Sequence, residues 1–218
     1  MHHGTKISNG IEVMVSEPRL MGHDISLWRG ERFLFEDLGF SLDEGEALLL
    51  YGPNGSGKTS LIRLIAGLLR PTSGAIHWNG TQISDQESFW RDINYVGHID
   101  AVKPLLTVTE NIDFWSIFRG SRVNRDALSH FGLQGIAHIP GRYLSSGQRR
   151  RVELARLLAV KTKLWLLDEP AVGLDAWAIS ALSSAISEHR AAGGLVVVAS
   201  HGDLEIEDVK TITLQGTY

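Results

Sequence analysis

Cysteine is absent from the 218-residue chain. That excludes disulfides, thiolate metal centres and covalent haem attachment through this chain, and it suits a reducing compartment. Long apolar runs are missing too. No stretch approaches the roughly 20 apolar residues that cross a bilayer, and residues 1–18 lack the apolar core of a signal peptide. If the protein acts at a membrane, another chain is expected to supply the spanning part. There is no excess of positive charge: the formal net charge is −4, so a nucleic-acid partner held by bulk electrostatics is not expected. Internal repeats and low-complexity tracts are also lacking. What remains is an ordinary apolar content of 43%, enough for a sizeable core in one globular unit.

The most informative stretch present is Gly52-Pro53-Asn54-Gly55-Ser56-Gly57-Lys58-Thr59, with Ser60 directly after it. It follows an apolar run, Ala47–Tyr51, and opens a helical pattern over residues 61–69. Glycines let the backbone turn its N–H groups around an anion, the helix points its positive end the same way, and Lys58 adds a full charge. Thr59 is then placed to bind Mg²⁺. A nucleoside triphosphate is the expected ligand.

Residues 1–18 show no clear period and read as a tail or an edge strand; His2 and His3 there carry no argument. Residues 19–50 hold short β-type runs punctuated by Arg29-Gly30-Glu31 and Asp43-Glu44-Gly45, which predicts antiparallel strands. Trp28 or Phe33 could stack on an adenine ring, although half-buried strand aromatics are common. Apolar residues in 61–69 recur at helical spacing, and Pro71 stops that helix. Residues 75–78 followed by Asn79-Gly80 predict a hairpin with a type I′ turn, and residues 93–96 another strand. From 107 to about 138 the pattern is helical. Thr107 with Glu110 fits a capping box, Gly120 a stop, and a further helix follows Leu144-Ser145-Ser146-Gly147-Gln148. Residues 164–167 and 195–199 are continuous apolar runs, as for strands buried on both faces, and residues 211–214 form a last strand. Asp175 can cap the helix between the two runs.

In doubly wound sheets, ligands sit beyond the carboxyl ends of the strands. Four polar elements occupy such positions: the phosphate loop, His98, Asp168-Glu169 and His201. Asp168 is expected to hold Mg²⁺ beside Thr59, Glu169 to polarise the attacking water, and His201 to contact the γ-phosphate. With Lys58, Glu169 and His201 form the catalytic set, and ATP with Mg²⁺ the cofactor pair. Leu144 to Gln148 reads as a helix cap whose free N–H groups and Ser145 hydroxyl also make an anion site. Arg149, Arg150 and Arg151 read as a solvated helix face in preference to direct phosphate contacts, although three successive residues cannot all point one way on a helix. Val102, Leu105, Trp115 and Phe118 could line a partner groove, or simply pack.

Taken together, these motifs resemble the ATP-binding cassette (ABC) ATPases over residues 19–218. Leu144-Ser145-Ser146-Gly147-Gln148 matches the signature, Gly173-Leu174-Asp175 the D-loop and His201 the switch histidine. The resemblance implies an α/β P-loop NTPase with a mostly parallel central sheet, an antiparallel N-terminal β subdomain and a helical subdomain inserted at about 104–160. It also implies a head-to-tail homodimer, with ATP between one copy's phosphate loop and the other's Ser145, Gly147, Gln148 and Asp175. Two departures stand out. Tyr95-Val96-Gly97-His98 replaces the Q-loop glutamine, putting His98 beside the nucleotide, and Ser146 stands where glycine is commoner.

Those departures, with Arg70-Pro71 before Gly74, Trp78-Asn79-Gly80, Lys103-Pro104, Glu110-Asn111 and Leu164-Trp165-Leu166-Leu167-Asp168-Glu169-Pro170, resemble a narrower family. It is that of the cytochrome c maturation ATP-binding subunits, the CcmA family of haem exporter ATPases. This resemblance implies a peripheral protein on the cytoplasmic face of the bacterial inner membrane, docked on CcmB, CcmC and CcmD. Hydrolysis would then support haem export or release of a haem-loaded chaperone, with no direct haem binding by this chain. Another ABC transporter ATPase is the alternative. A soluble ABC ATPase would usually carry two cassettes, a small-molecule kinase has no use for Leu144 to Gln148, and a scaffold none for Glu169.

Overall fold

The computed structural model describes residues 18–85, 88–120, 124–202 and 204–215, and the backbone at 7–8 and 11–12. Most of the expected N-terminal tail, His2 and His3 included, lies outside the described residues; within it β1 (Ile7–Ser8) and β2 (Ile11–Glu12) pair antiparallel. β3 (Leu20–Arg29) and β4 (Arg32–Leu42) form a long antiparallel pair around Gly30, whose φ of 69° suits the tight turn. β5 (Ala47–Tyr51) leaves that sheet, and α1 (Lys58–Ile65) follows the phosphate loop. The apolar spacing predicts helix to Leu69, but α1 stops at Ile65. Gly67 turns left-handed at φ 68°, and the amides of Leu68 and Leu69 return to the Arg63 carbonyl, satisfying it without continuing the helix.

β6 (Ser73–Trp78) and β7 (Thr81–Gln82) extend the antiparallel sheet to the order β4-β3-β6-β7. Their link, Asn79-Gly80, has φ of 51° and 75°, as a type I′ turn demands. After α2 (Phe89–Asp92), β8 (Ile93–Val96) enters the second sheet. Three helices follow: α3 (Val108–Phe118), α4 (Asp126–His130) and α5 (Ser146–Ala159). α3 starts with a complete capping box: Thr107 Oγ1 accepts from the Glu110 amide, and Glu110 Oε2 from the Thr107 amide at 2.7 Å. The chain closes with β9 (Leu164–Asp168), α6 (Ala176–Ala191), β10 (Leu195–Ala199) and β11 (Val209–Thr213).

The second sheet has the order β11-β5-β10-β9-β8 with every pair parallel. Side chains alternate faces along each strand, so β9 divides between two cores. Leu164 and Leu166 pack with α1 and the antiparallel sheet; Trp165 and Leu167 pack with α5 and α6. β10 divides likewise, and all ten residues of these strands are buried. Burying each Leu or Val contributes about 1.5–3 kcal/mol, so the sheet is held rigid from both faces. α3 and α4 share the α5 side of this core through Ile112, Leu128 and Phe131. Among the described residues, no helix is long and apolar enough to cross a membrane.

Candidate functional site

Parallel pairing puts the carboxyl ends of β5, β8, β9 and β10 along one edge, each followed by one of the four polar elements expected there. At the end of β5 the backbone turns at Gly52, φ 149°, where a Cβ would come within 2.2 Å of the Leu214 carbonyl oxygen. Gly57, φ 104°, begins α1, and no side chain caps the helix, leaving its first amides directed at the loop. Lys58 is buried and lies back across the loop, donating to the carbonyls of Gly52 at 2.7 Å and Pro53 at 3.1 Å. Burial pulls its pKa down, opposed by the charges of Glu169 and Asp168. Buried Ser56 Oγ has no hydrogen-bond partner among the described residues.

Asp168, the last residue of β9, is 1% exposed. Its Oδ1 accepts from the Thr59 hydroxyl at 3.0 Å, while Oδ2 is buried without a partner among the described residues. Burial pushes its pKa up, and the Thr59 hydrogen bond opposes that. An orphaned carboxylate oxygen beside a hydroxyl is an all-oxygen set that fits a hard cation such as Mg²⁺. Among the described residues no three His, Cys, Asp or Glu side chains cluster as a metal site, so a cation here would rely on oxygens from phosphate or water.

Glu169 departs from the strand at φ 50°, a left-handed backbone that costs a non-glycine residue about 1–3 kcal/mol. The turn aims its carboxylate along the edge. Oε1 lies 3.0 Å from His201 Nε2, and Oε2 lies 3.9 Å from His98 Nδ1. His201 Nε2 is in turn 3.3 Å from Lys58 Nζ. Three strand ends thereby meet through direct contacts at one spot. A cleft of about 270 Å³ beside them is lined by Asn54, Lys58, Thr59, Ser60 and Glu169, with Arg29 and Leu34 as its outer wall.

Trp28 and Phe33 do not line that cleft. They pack edge to face, centroids 4.6 Å apart, with Trp28 half exposed next to the Arg29 wall. Ser145, Gly147 and Gln148 are not in the cleft either. Ser145 and Gln148 cap each other, the Ser145 amide donating to Gln148 Oε1 at 2.8 Å, and Gly147 abuts the Gly173 carbonyl, 2.9 Å from where a Cβ would stand. Asp175 caps α6 by accepting from the Ala178 amide at 2.8 Å. Of the apolar residues tied to a partner groove, Leu105 and Phe118 are strongly exposed, while Val102 and Trp115 pack on the core.

The expectation of solvated arginines fails at Arg150: of the directions that three successive helical residues must take, Arg150 has the inward one. Arg149 is half exposed beside Asp100, but Arg150 is buried against the ends of β8 and β9. The sequence signal was available: Arg150, Glu153 and Arg156 recur at i, i+3 and i+6 on an otherwise apolar helix face, and all three are buried.

Comparison with known proteins gives a consistent picture. The ABC transporter family profile matches residues 35–172. The chain is 46% identical over 207 residues to the cytochrome c biogenesis ATP-binding export protein CcmA of Paramagnetospirillum magneticum, covering 92% of this chain and 95% of that protein. It is 49% identical over 197 residues to the protein of the same name from Rhodospirillum rubrum, covering 88% and 84%. Among solved structures, an ATP-binding subunit of an ABC transporter superposes with a TM-score of 0.76 at 29% identity, covering 84% of this chain and 79% of that one. The ATP-binding cassette MJ0796, in a dimeric post-hydrolysis state bound to ADP and Pi, superposes at 0.74 with 25% identity, covering 91% and 97%.

Proposed function

This chain belongs to the ABC transporter family and, within it, to the cytochrome c biogenesis ATP-binding export proteins, and on that premise we propose how it works. It is an ATPase of cassette type with a single domain over 19–218, its helical part inserted at about 104–160. ATP enters the cleft with its phosphates on the amides of residues 52–60 and on Lys58, and with its adenine on the exposed face of Trp28. Thr59 and Asp168 would hold Mg²⁺, which would supply positive charge beside the phosphates. Glu169 orients and polarises the attacking water, and His201, bonded to Glu169, steadies that carboxylate and reaches the γ-phosphate. His98 senses the same carboxylate from the β8 side.

A second copy completes the site. Ser145, Gly147 and Gln148 stand outside their own chain's cleft, with amides and a hydroxyl suited to phosphate, and Gly147 lies against Gly173, two residues before Asp175. A head-to-tail homodimer closing on ATP would bring them to the partner copy's nucleotide. The relatives' name supports coupling of this cycle to cytochrome c maturation through haem export or release of the holo haem chaperone. The coupled machine is a complex with CcmB, CcmC and CcmD at the cytoplasmic face of the inner membrane, and no haem binds to this chain.

The single observation behind this reading is the contact chain Lys58–His201–Glu169, with spacings of 3.3 and 3.0 Å, built from three strand ends. Glu169→Gln keeps the shape and removes the base. It should bind ATP, lower hydrolysis by about 10²-fold or more, and accumulate as an ATP-bound dimer in size-exclusion chromatography. Turnover at the wild-type rate would remove Glu169 from the mechanism.

A further inference from the structure

The guanidinium of Arg150 has five N–H groups, and the structure gives it five acceptors. Nε donates to the Pro170 carbonyl at 3.2 Å, and Nη2 to those of Asp168 at 3.1 Å and Glu169 at 2.8 Å. Nη1 donates to the Gly97 carbonyl at 2.7 Å and to Glu153 Oε2 at 3.0 Å. Four of the five are main-chain oxygens, on either side of the left-handed turn at Glu169 and immediately before His98. The fifth, Glu153, is itself buried and bound on its other oxygen by the Ala101 amide and Arg156. A group spending every donor on one corner of the site does more than fill a core position.

We propose that Arg150 is a positioning residue for hydrolysis: its planar fork locks the Asp168–Glu169–Pro170 corner and the Gly97–His98 segment to the first turns of α5. The inference rests on Glu169 acting as the base and adds what holds it in place. A carboxylate on a strained turn drifts unless its flanking carbonyls are fixed, and a single rigid fork fixes them together where separate donors could not. The consequence reaches across the dimer. The helix that presents Ser145, Gly147 and Gln148 to the other copy's nucleotide also sets this copy's base, so α5 ties the two reaction centres together.

Arg150→Lys is the sharp test, since lysine keeps the charge for Glu153 but offers a point donor in place of the fork. Mg-ATP affinity and single-turnover hydrolysis are measured on purified protein. The expected result is a dissociation constant within about threefold of wild type and hydrolysis slowed by about 30- to 100-fold, the scale of a reacting group displaced by about 1 Å. Hydrolysis within about threefold of wild type would overturn the proposal. So would a loss of affinity equal to the loss of rate, which marks general damage. Should Arg150→Lys fail to fold, Arg150→Gln removes the fork yet leaves Glu153 paired one to one with Arg156, and the same split between affinity and rate is expected of it. Glu169→Gln, run in parallel, separates the two ideas. If it is inactive while Arg150→Lys hydrolyses normally, the positioning role alone falls; if it hydrolyses normally, the base assignment falls and the positioning role with it.

Discussion

The two ends of the parallel sheet are made from the same strands and put to opposite use. At the carboxyl end, β9 and β10 finish in Asp168, Glu169 and, two residues past Ala199, His201. At the amino end, Trp165 of β9 stacks on His189 of α6, centroids 4.0 Å apart and planes 7° from parallel, with Gly194 pressed against the imidazole just before β10. Both ends bury polar atoms that have no partner among the described residues: Asp168 Oδ2 and Ser56 Oγ at one, Trp165 Nε1 and His189 Nε2 at the other. Orphaned polarity therefore does not by itself mark a reaction centre. What separates the ends is charge and backbone. The carboxyl end adds a buried ammonium, an uncapped helix start and a glutamate on a left-handed turn. The amino end has a cavity of about 530 Å³ lined by the Trp165 and His189 pair together with Arg19, Glu44, Lys161, Lys163 and Glu188, none of the five buried as Lys58 and Asp168 are.

If that contrast is right, substitutions at the carboxyl end should abolish hydrolysis and spare the fold. The largest effect is expected from Lys58→Ala. Removing the ammonium takes a full charge off the phosphates, and hydrolysis should fall by about 10²- to 10³-fold with weakened Mg-ATP binding. Stability should move by about 1 kcal/mol or less, because the variant loses two hydrogen bonds to loop carbonyls but also sheds a charge whose burial is unfavourable. Hydrolysis assays beside thermal melts check both halves. A Lys58→Ala protein that melts far below wild type would break the contrast.

Gly194→Ala is the converse. The added methyl would stand 2.2 Å from His189 Nε2, and the ring can yield only by leaving Trp165. Overpacking of this kind costs about 1–3 kcal/mol, a melting temperature lower by about 2–12 °C for a chain of this size. Hydrolysis per folded molecule at low temperature should stay within about twofold of wild type. A rate loss as large as that of Lys58→Ala would mean that the ends are coupled.

The same contrast explains what could be read from the sequence. The phosphate loop and the Asp168-Glu169 corner are written locally, as glycine spacing before a helix and as acids closing an apolar run. The type I′ turn at Asn79-Gly80 and the caps at Thr107, Ser145 and Asp175 are local too. That three adjacent arginines diverge is legible from helix geometry, but which of them turns inward is not until the sheet-facing side of α5 is known. The Trp165–His189 stack links residues far apart in the chain and exists only once α6 lies on β9. The end of α1 lay with Gly67, whose left-handed φ overrode the apolar period that runs on to Leu69.

The smallest effect expected is also the most selective for the amino end. Burial pushes the His189 pKa down, with hydrogen bonding at the Leu195 and Lys163 backbone opposing the shift. The folded chain then binds fewer protons than the unfolded chain just below the ordinary histidine value of about 6.5. The stability tied to neutral His189 is complete above that value and is lost as pH falls through it toward the depressed folded one. The charged residues around the cavity, Arg19, Glu44, Glu188, Lys161 and Lys163, are common to wild type and His189→Gln, so the difference between the two proteins isolates the imidazole. Thermal melts from about pH 7.5 down to 5.5 should therefore fall more steeply for wild type than for His189→Gln. Parallel slopes would mean that the imidazole takes up its proton as readily in the folded chain as in the unfolded one, and the amino end could then hold the buried charge that the comparison reserves for the carboxyl end.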